Sequence, residues 1–440
     1  MGQALSLPIK LIKTTMTYWG GFWYYLYGKG RFDEYKIGSE SQFPYLKPSP
    51  DDTSEEALFK QHARIHLFSL ASNFYLYSKP HYRKGRYRDD LIDNLRNVAI
   101  PGTGVSLSWF ARSRILALFL VLDITPMVCL AASFRHWMKT GASISKEYAT
   151  RLLAPNDWFS YWRLNCNVVG LHSLLMNNPA GYTMENKWEF LVEGEKRGVP
   201  ISPYLKTPAL VIKHRNEEGG MGIFFYKNAI DGGDWILQER LHNSDWVSSM
   251  LPSKAPLSTF RVITQSRGSL REENQPDADI QALSCVFRAG RQNANTDHDS
   301  ILFDVDVKTG IIQGGTTNAH WYRLGLLSAF RCPWRSEHGY THHPDGSNPQ
   351  TSIPITGKVV PEIQSMIRLV EDAHRKLCAD VPFAGWDVVL SSDPNVPICL
   401  LEVNLSCNFF RGTFDRKVYF DFIDESFAVL QAKRLTMDKL

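Results

Sequence analysis

Glu402 and Asn404 stand two residues apart in the apolar run Ile398-Cys399-Leu400-Leu401-Glu402-Val403-Asn404. If that run is a strand, both side chains project from one face. Asp387 lies on the adjoining run Trp386-Asp387-Val388-Val389-Leu390. Two carboxylates and an amide oxygen aimed at one point make a site of hard oxygen ligands. Magnesium is held in this way, by one or two carboxylates with phosphate oxygens and water completing its shell. Acids at the ends of apolar strands are costly without a compensating cation, so the trio is expected to hold a metal rather than to form separate local ion pairs.

Two further groups point to phosphate. Lys213 ends the run Ala209-Leu210-Val211-Ile212-Lys213, and Gly219, Gly220 and Gly222 follow in the turn to Ile223-Phe224-Phe225-Tyr226. Such a turn can lay backbone N–H groups over phosphates with the ammonium beside them. It is not a Walker A motif, since no G-K-[ST] is present and strands flank it; an ordinary hairpin has the same composition. Arg261, in Phe260-Arg261-Val262-Ile263-Thr264, and Arg288, in Phe287-Arg288-Ala289-Gly290, are cations on apolar strands and require an anionic partner. A triphosphate, an acyl phosphate or a structural carboxylate would each serve.

These residues need a scaffold of strands. Strands are expected at 209–213, 222–226, 235–239, 260–264, 386–390 and 398–404. Ile301–Val307 should form a hairpin with Ile311-Ile312 through Lys308-Thr309-Gly310. Ile363, Ile367, Val370 and Leu377 have the spacing of an amphipathic helix over 361–379. Residues 53–155 read as mainly helical, starting at Ser54-Glu55-Glu56, and the Pro-rich stretch 31–60 as an extended linker. The basic run His81–Arg88 reads as a solvated face, with acidic lipid headgroups as its alternative partner.

With 440 residues, 44% of them hydrophobic and 21% charged, the chain is an ordinary globular composition large enough for two or three structural units. A net charge of +4 over that length does not point to nucleic acid. The seven scattered cysteines contain no C-x-x-C pair, which speaks against a zinc site or a disulfide framework and for a reducing, cytoplasmic compartment. Met1-Gly2-Gln3-Ala4-Leu5-Ser6 fits the pattern for myristoylation at Gly2, and the aromatics between Tyr18 and Tyr27 suit a headgroup level; packing of those aromatics onto the body of the protein is the alternative. Ile115–Phe134 approaches the length of a membrane span, but Asp123 and Pro126 in its middle suggest a buried or interfacial helix broken near Pro126.

The order and wording of several segments resemble the ATP-grasp superfamily, and within it the sugar-transfer-associated ATP-grasp branch. The segments are Glu185-Asn186-Lys187-Trp188-Glu189-Phe190, Gly198-Val199-Pro200, Val211-Ile212-Lys213 with its glycines, Ile236-Leu237-Gln238-Glu239, Thr259–Thr264, His343-Pro344-Asp345, Gly385-Trp386-Asp387 and Leu401-Glu402-Val403-Asn404, spanning about 160–425. The resemblance implies an α+β fold in which two α+β subdomains clasp a nucleotide, after a mainly helical N-terminal region. With the linker and helical readings above, it divides the chain into an N-terminal anchor or linker at 1–52, a helical region at 53–155 without counterpart in the superfamily, and a catalytic domain at 156–430 with a small lid at about 205–240. It further implies that Lys187 and Lys213 contact the phosphates of ATP, that Gly219, Gly220 and Gly222 form a flap over them, and that Gln238 and Glu239 lie at the adenine and ribose. Asp387, Glu402 and Asn404 would hold one or two Mg2+ (or Mn2+), and Arg261 and Arg288 would face the γ-phosphate and an acyl phosphate. The activity so implied is a ligase joining a small-molecule carboxylate to an amine or other nucleophile. A kinase built on the same site, or a membrane-docked nucleotide-binding protein whose catalysis has lapsed, are the alternatives. The stretch Asn295–Ser300 lacks the paired glycines the family would carry there.

Overall fold

The computed structural model describes residues 6–27, 43–83, 85–96, 98, 100, 105–177, 179–217, 219, 221–271, 279–296, 300–317, 341–343, 348, 350–409 and 412–437. Gly2, Gly220, Pro344 and Asp345 lie outside the described residues, as do 31–42 of the expected linker.

Two antiparallel sheets organise the C-terminal part. β1 (Ala209–Lys213) and β2 (Ile223–Lys227) form a two-stranded hairpin. The second sheet contains β3 (Thr259–Ser266), β4 (Ile280–Gly290), β5 (Ser300–Val305), β6 (Ile312–Thr317), β7 (Thr341–His343), β8 (Phe383–Leu390) and β9 (Ile398–Asn404) in the order β7-β6-β5-β4-β3-β8-β9. The β5–β6 turn is the expected Lys308-Thr309-Gly310, with Gly310 at φ 73°. A left-handed residue there favours glycine, because any Cβ meets its own carbonyl. α11 (Ile363–Cys378) turns its apolar side, Met366, Val370, Ala373 and Leu377, onto β3, β4 and β8, and the buried Trp386, Phe260 and Val262 meet it from the sheet.

One sequence expectation fails in this region. Residues 235–239 are not a strand: Trp235 and Gln238 make only isolated bridges, to Asn228 and Tyr204. Leu205 N–H donates to Leu237 O and Glu239 N–H to Pro203 O, but Pro203 and Pro208 have no N–H to continue a ladder.

The N-terminal part is helical: α1 (Leu7–Tyr27), α2 (Ser54–Leu76), α3 (Tyr87–Leu95), α4 (Ser108–Ala111), α5 (Arg114–Phe119), a π turn at Leu120–Ile124, α6 (Thr125–Thr140), α7 (Ile144–Leu153) and α8 (Trp158–Leu175). α9 (Lys187–Lys196), the single turn α10 (Asp245–Ser248) and α12 (Arg416–Met437) are further α-helices among the described residues. α2 starts with a reciprocal cap, Glu56 N–H donating to Thr53 Oγ1 at 3.2 Å and Thr53 N–H to the Glu56 carboxylate at 2.9 Å. Just before it, Phe43 and Leu46 are buried, so this end of the expected linker belongs to the core. The basic run is likewise not simply solvated: Tyr87 is buried and Arg83 pairs with Asp90 and Glu185. One apolar core runs from α1 through α2 and α8 into the sheet and α12, and the buried Arg64–Asp424 pair ties α2 to α12. The six described cysteines are free.

Buried histidines fasten this core. His374 bonds the Val381 carbonyl at 3.0 Å and Thr264 Oγ1 at 2.8 Å, and Trp386 Nε1 donates to the same hydroxyl at 2.9 Å. His172 bonds the Ser269 carbonyl at 2.9 Å and the Tyr182 hydroxyl at 3.0 Å. Burial pushes both down to about 4 and His62 to about 3. These depressed values mean that their contribution is complete above the unfolded value of about 6.5 and lost as pH falls toward the folded ones. The urea midpoint is therefore expected to fall as pH is lowered from about 7 to about 4.5, and less steeply in His374→Gln than in the parent chain.

Candidate functional site

The pocket face of the sheet is built on one row of paired residues. Arg261 on β3 is register partner to Asp387 on β8, and Asp387 in turn to Glu402 on β9. Directly paired residues share a face. Arg288, opposite Thr259 two residues before Arg261, shares it as well. A strict period of two would put Leu400, Glu402 and Asn404 on one side. A β-bulge between the Asp387 and Val388 pairings changes this, because Leu400 now opposes Val388 and Leu401 is the extra residue. Leu400 is thus fully buried, while Leu401, Glu402 and Asn404 line the pocket.

Asp387 is buried at 5% exposure and gripped from two sides. Arg261 donates Nε to Oδ1 at 2.5 Å and an η nitrogen to Oδ2 at 2.9 Å, a two-point fork. Arg288 reaches both carboxylate oxygens at 3.4 Å. Burial alone would raise the Asp387 carboxyl, but the charges of Arg261 and Arg288 outweigh it and hold the group below the usual carboxylate range. Burial likewise opposes the Arg261 charge, and Asp387 restores it. Glu402 differs: it is partly open and is met by Lys187 Nζ at 2.8 Å and by Asn404 Nδ2 at 3.3 Å. Gly385, opposite Asn404, admits the strand-end segment closely, since a Cβ there would stand 2.6 Å from Cys407 Cβ.

A cavity of about 1320 Å³ gathers these groups. Its walls include the expected Lys187, Gln238, Glu239, Arg261 and Arg288, and the expected Asp387, Glu402 and Asn404. Sequence reasoning did not single out Arg240, His242 or Lys254, which also line it; their only signal is proximity to Gln238 and Glu239 or to the β3 strand. Five cations (Lys187, Arg240, Lys254, Arg261, Arg288) face three acids (Glu239, Asp387, Glu402), a positive balance suited to a polyanion. Asn295, Thr296 and Ser300 contribute from the stretch that lacks glycines, while 297–299 are outside the described residues. Behind Asn404, Arg83 donates to Ser406 Oγ at 2.7 Å and Glu185 accepts from Leu405 N–H at 3.3 Å, which braces the loop leaving β9. A second, mainly apolar cavity of about 420 Å³ among the N-terminal helices shares Val98, Trp158 and Trp162 with the first.

The structure does not bring the hairpin to this cavity. Lys213, Gly219 and Gly222 lie on the projecting β1–β2 unit, and Lys213 is exposed. The hairpin is anchored at its base by the buried Asn228, whose amide donates to the carbonyls of Leu205 and Thr207, both at 2.8 Å.

The donor set fits magnesium shared with phosphate. Among the described residues no cluster of three or more His, Cys, Asp or Glu could hold a metal by itself. Asp387 and Glu402 are two carboxylates and Asn404 offers an amide oxygen, ligand types that suit a magnesium also bound to phosphate. Asp387, however, is engaged by two guanidinium groups, so Glu402 is the carboxylate most open to a cation.

No protein-family model matches the chain, and no curated protein matches it. Solved structures do match, among them the crystal structure of N5-carboxyaminoimidazole ribonucleotide synthetase from Thermotoga maritima. That likeness has 12% identity and a TM-score of 0.23, and it covers 54% of this chain and 48% of that one. The chain thus spans about half the length of that enzyme, and a likeness so low decides neither fold nor function.

Removing the charge of Asp387 takes from two buried guanidinium groups the carboxylate that they share. Asp387→Asn is expected to cost about 3–5 kcal/mol of stability by urea denaturation. Lys187→Ala, at the exposed end of its pair with Glu402, is expected to cost about 0–1 kcal/mol.

Proposed function

We propose that the chain is an ATP- and magnesium-dependent ligase of the ATP-grasp kind. It activates a carboxylate as an acyl phosphate and passes the acyl group to an amine or another nucleophile. The observation that carries this reading is the row Arg261, Asp387 and Glu402 across three neighbouring strands, on the floor of a cavity with a positive lining. A polyphosphate needs fixed positive charge beside oxygen ligands for its metal, and one strand face offers both.

Glu402, Asn404 and Asp387 would hold magnesium, which neutralises charge on the phosphate oxygens. A phosphoryl group competing for Arg261 and Arg288 would free the Asp387 carboxylate for that task. Lys187 would contact phosphate from the start of α9. Gln238 and Glu239 would flank adenine and ribose, and Lys213 with Gly219 and Gly222 would close over the phosphates as the hairpin swings. The chain provides no covalent nucleophile in this scheme. The substrate carboxylate oxygen attacks the γ-phosphorus, the bond to the β,γ-bridging oxygen breaks, and ADP departs. The amine then adds to the acyl carbon and loses a proton as inorganic phosphate leaves. Catalysis comes from alignment and charge neutralisation by Arg261, Arg288 and Lys187.

Purified protein given ATP, magnesium and pools of carboxylates and amines is expected to release inorganic phosphate and form an amide, read by mass spectrometry. Glu402→Gln should abolish phosphate release. Turnover that survives this change removes the metal assignment, and a phosphorylated acceptor without free phosphate makes the protein a kinase.

A further inference from the structure

The segment from Arg114 to Thr140 is one continuous helical stretch, α5, the π turn and α6, long and apolar enough by length and composition to cross a membrane. A core helix of that composition would be buried, yet only 11% of its most apolar window is. Leu116, Phe119, Met127, Phe134 and Met138 are exposed along one stripe, with Asp123 between them. α1 shows the same inversion: Ile12, Met16, Trp19, Trp23 and Tyr27 are exposed at helical spacing, while Tyr18, Phe22 and Tyr25 are buried behind them.

Pro126 explains how the two helices meet. It has no N–H, so the Leu122 carbonyl four residues earlier loses its helical donor. In the π turn Thr125 N–H bonds Leu120 O instead of Val121 O, which leaves the Val121 carbonyl without its helical partner too. α1 occupies both: Trp19 Nε1 donates to Leu122 O at 2.8 Å, and the Tyr18 hydroxyl to Val121 O at 3.0 Å. Trp19 belongs to the exposed stripe of α1, so these bonds join the two helices that carry the exposed stripes, which are rich in Trp, Phe and Met.

We propose that these two stripes dock on an anionic lipid bilayer, with α1 and α5–α6 lying in the plane of the headgroups. Charge favours that occupant. The two helices expose Lys10, Lys13 and Arg114 near the stripes, with Asp123 as the single acid on either helix. Basic residues rimming exposed Trp and Phe are the composition of an interfacial helix pair. A span is disfavoured. It would break the two carbonyl bonds to α1, expose the buried Pro126, Ala132 and Ser133, and move Asp123 to mid-bilayer at about 2.5–3.5 kcal/mol. In the headgroup plane Asp123 stays hydrated.

The test is co-sedimentation of the full chain, produced without an N-terminal acyl group, with vesicles of phosphatidylcholine with and without phosphatidylserine. Binding is expected with phosphatidylserine and is expected to weaken with salt. Ile12→Ser with Met16→Ser, and separately Phe119→Ser with Met127→Ser, should each weaken it roughly tenfold or more, on the scale of burying two apolar side chains. Phe225→Ser, on the exposed β1–β2 hairpin, should leave binding unchanged. Thermal melts equal to that of the parent chain show that the variants fold. Absence of binding to either vesicle, binding that ignores both double variants, or self-association in solution that the same variants abolish would each overturn the proposal.

Discussion

Asp387 sits between two arginines in the interior of a sheet, and much of the rest is arranged around that fact. Three charges taken out of water are expensive, and a tight fork and a second guanidinium bring the cost down. The pair Arg261–Asp387 also fixes the register of β3 against β8, because a slip of one residue would turn a buried charge into the apolar layer behind. With β8 fixed, the bulge on β9 brings Glu402 beside Asp387 and keeps Leu400 in the core. The site's geometry and the sheet's register are therefore the same constraint seen from two faces.

The layer behind the sheet carries the complementary chemistry. Trp386, Thr264 and His374 form a chain of hydrogen bonds between β8, β3 and α11, so these three buried side chains are satisfied. α2, α8 and α12 extend the same core, which is why the N-terminal helices are part of the body and not an appendage. The braces Arg83 and Glu185 come from that side and reach the loop beyond Asn404, linking the helical region to the rim of the cavity. The hairpin bearing Lys213 is the exception, exposed along most of its length and attached chiefly through its base. Elements with few buried contacts are those that open and move at low cost.

A proline and a π turn decide the character of the N-terminal helices. The carbonyls they release would be a liability where water is excluded; here they become the acceptors that seat α1. Tyr18 and Trp19 satisfy them while the neighbouring positions stay outward, so an apolar surface is held open by hydrogen bonds.

The sequence by itself determined the pieces whose signals are local. Apolar runs bounded by turns marked β3, β5–β6, β8 and β9, the spacing of Ile363, Ile367 and Val370 marked α11, and the period of two put Glu402 and Asn404 on one face. Arg261 and Arg288 were legible as cations needing an anion, with a structural carboxylate among the candidates. That their partner is Asp387 was decided by tertiary structure, because the pair is 126 residues apart and only sheet register joins it. The same holds for the bulge at Leu401, which no local pattern announces, and for 235–239, whose strand-like composition is overruled by the prolines opposite it. Hydropathy marked 115–134 as apolar but could not say which way the helix faces. That depended on α1 bonding Val121 and Leu122 from more than 100 residues away, which leaves the opposite stripe outside.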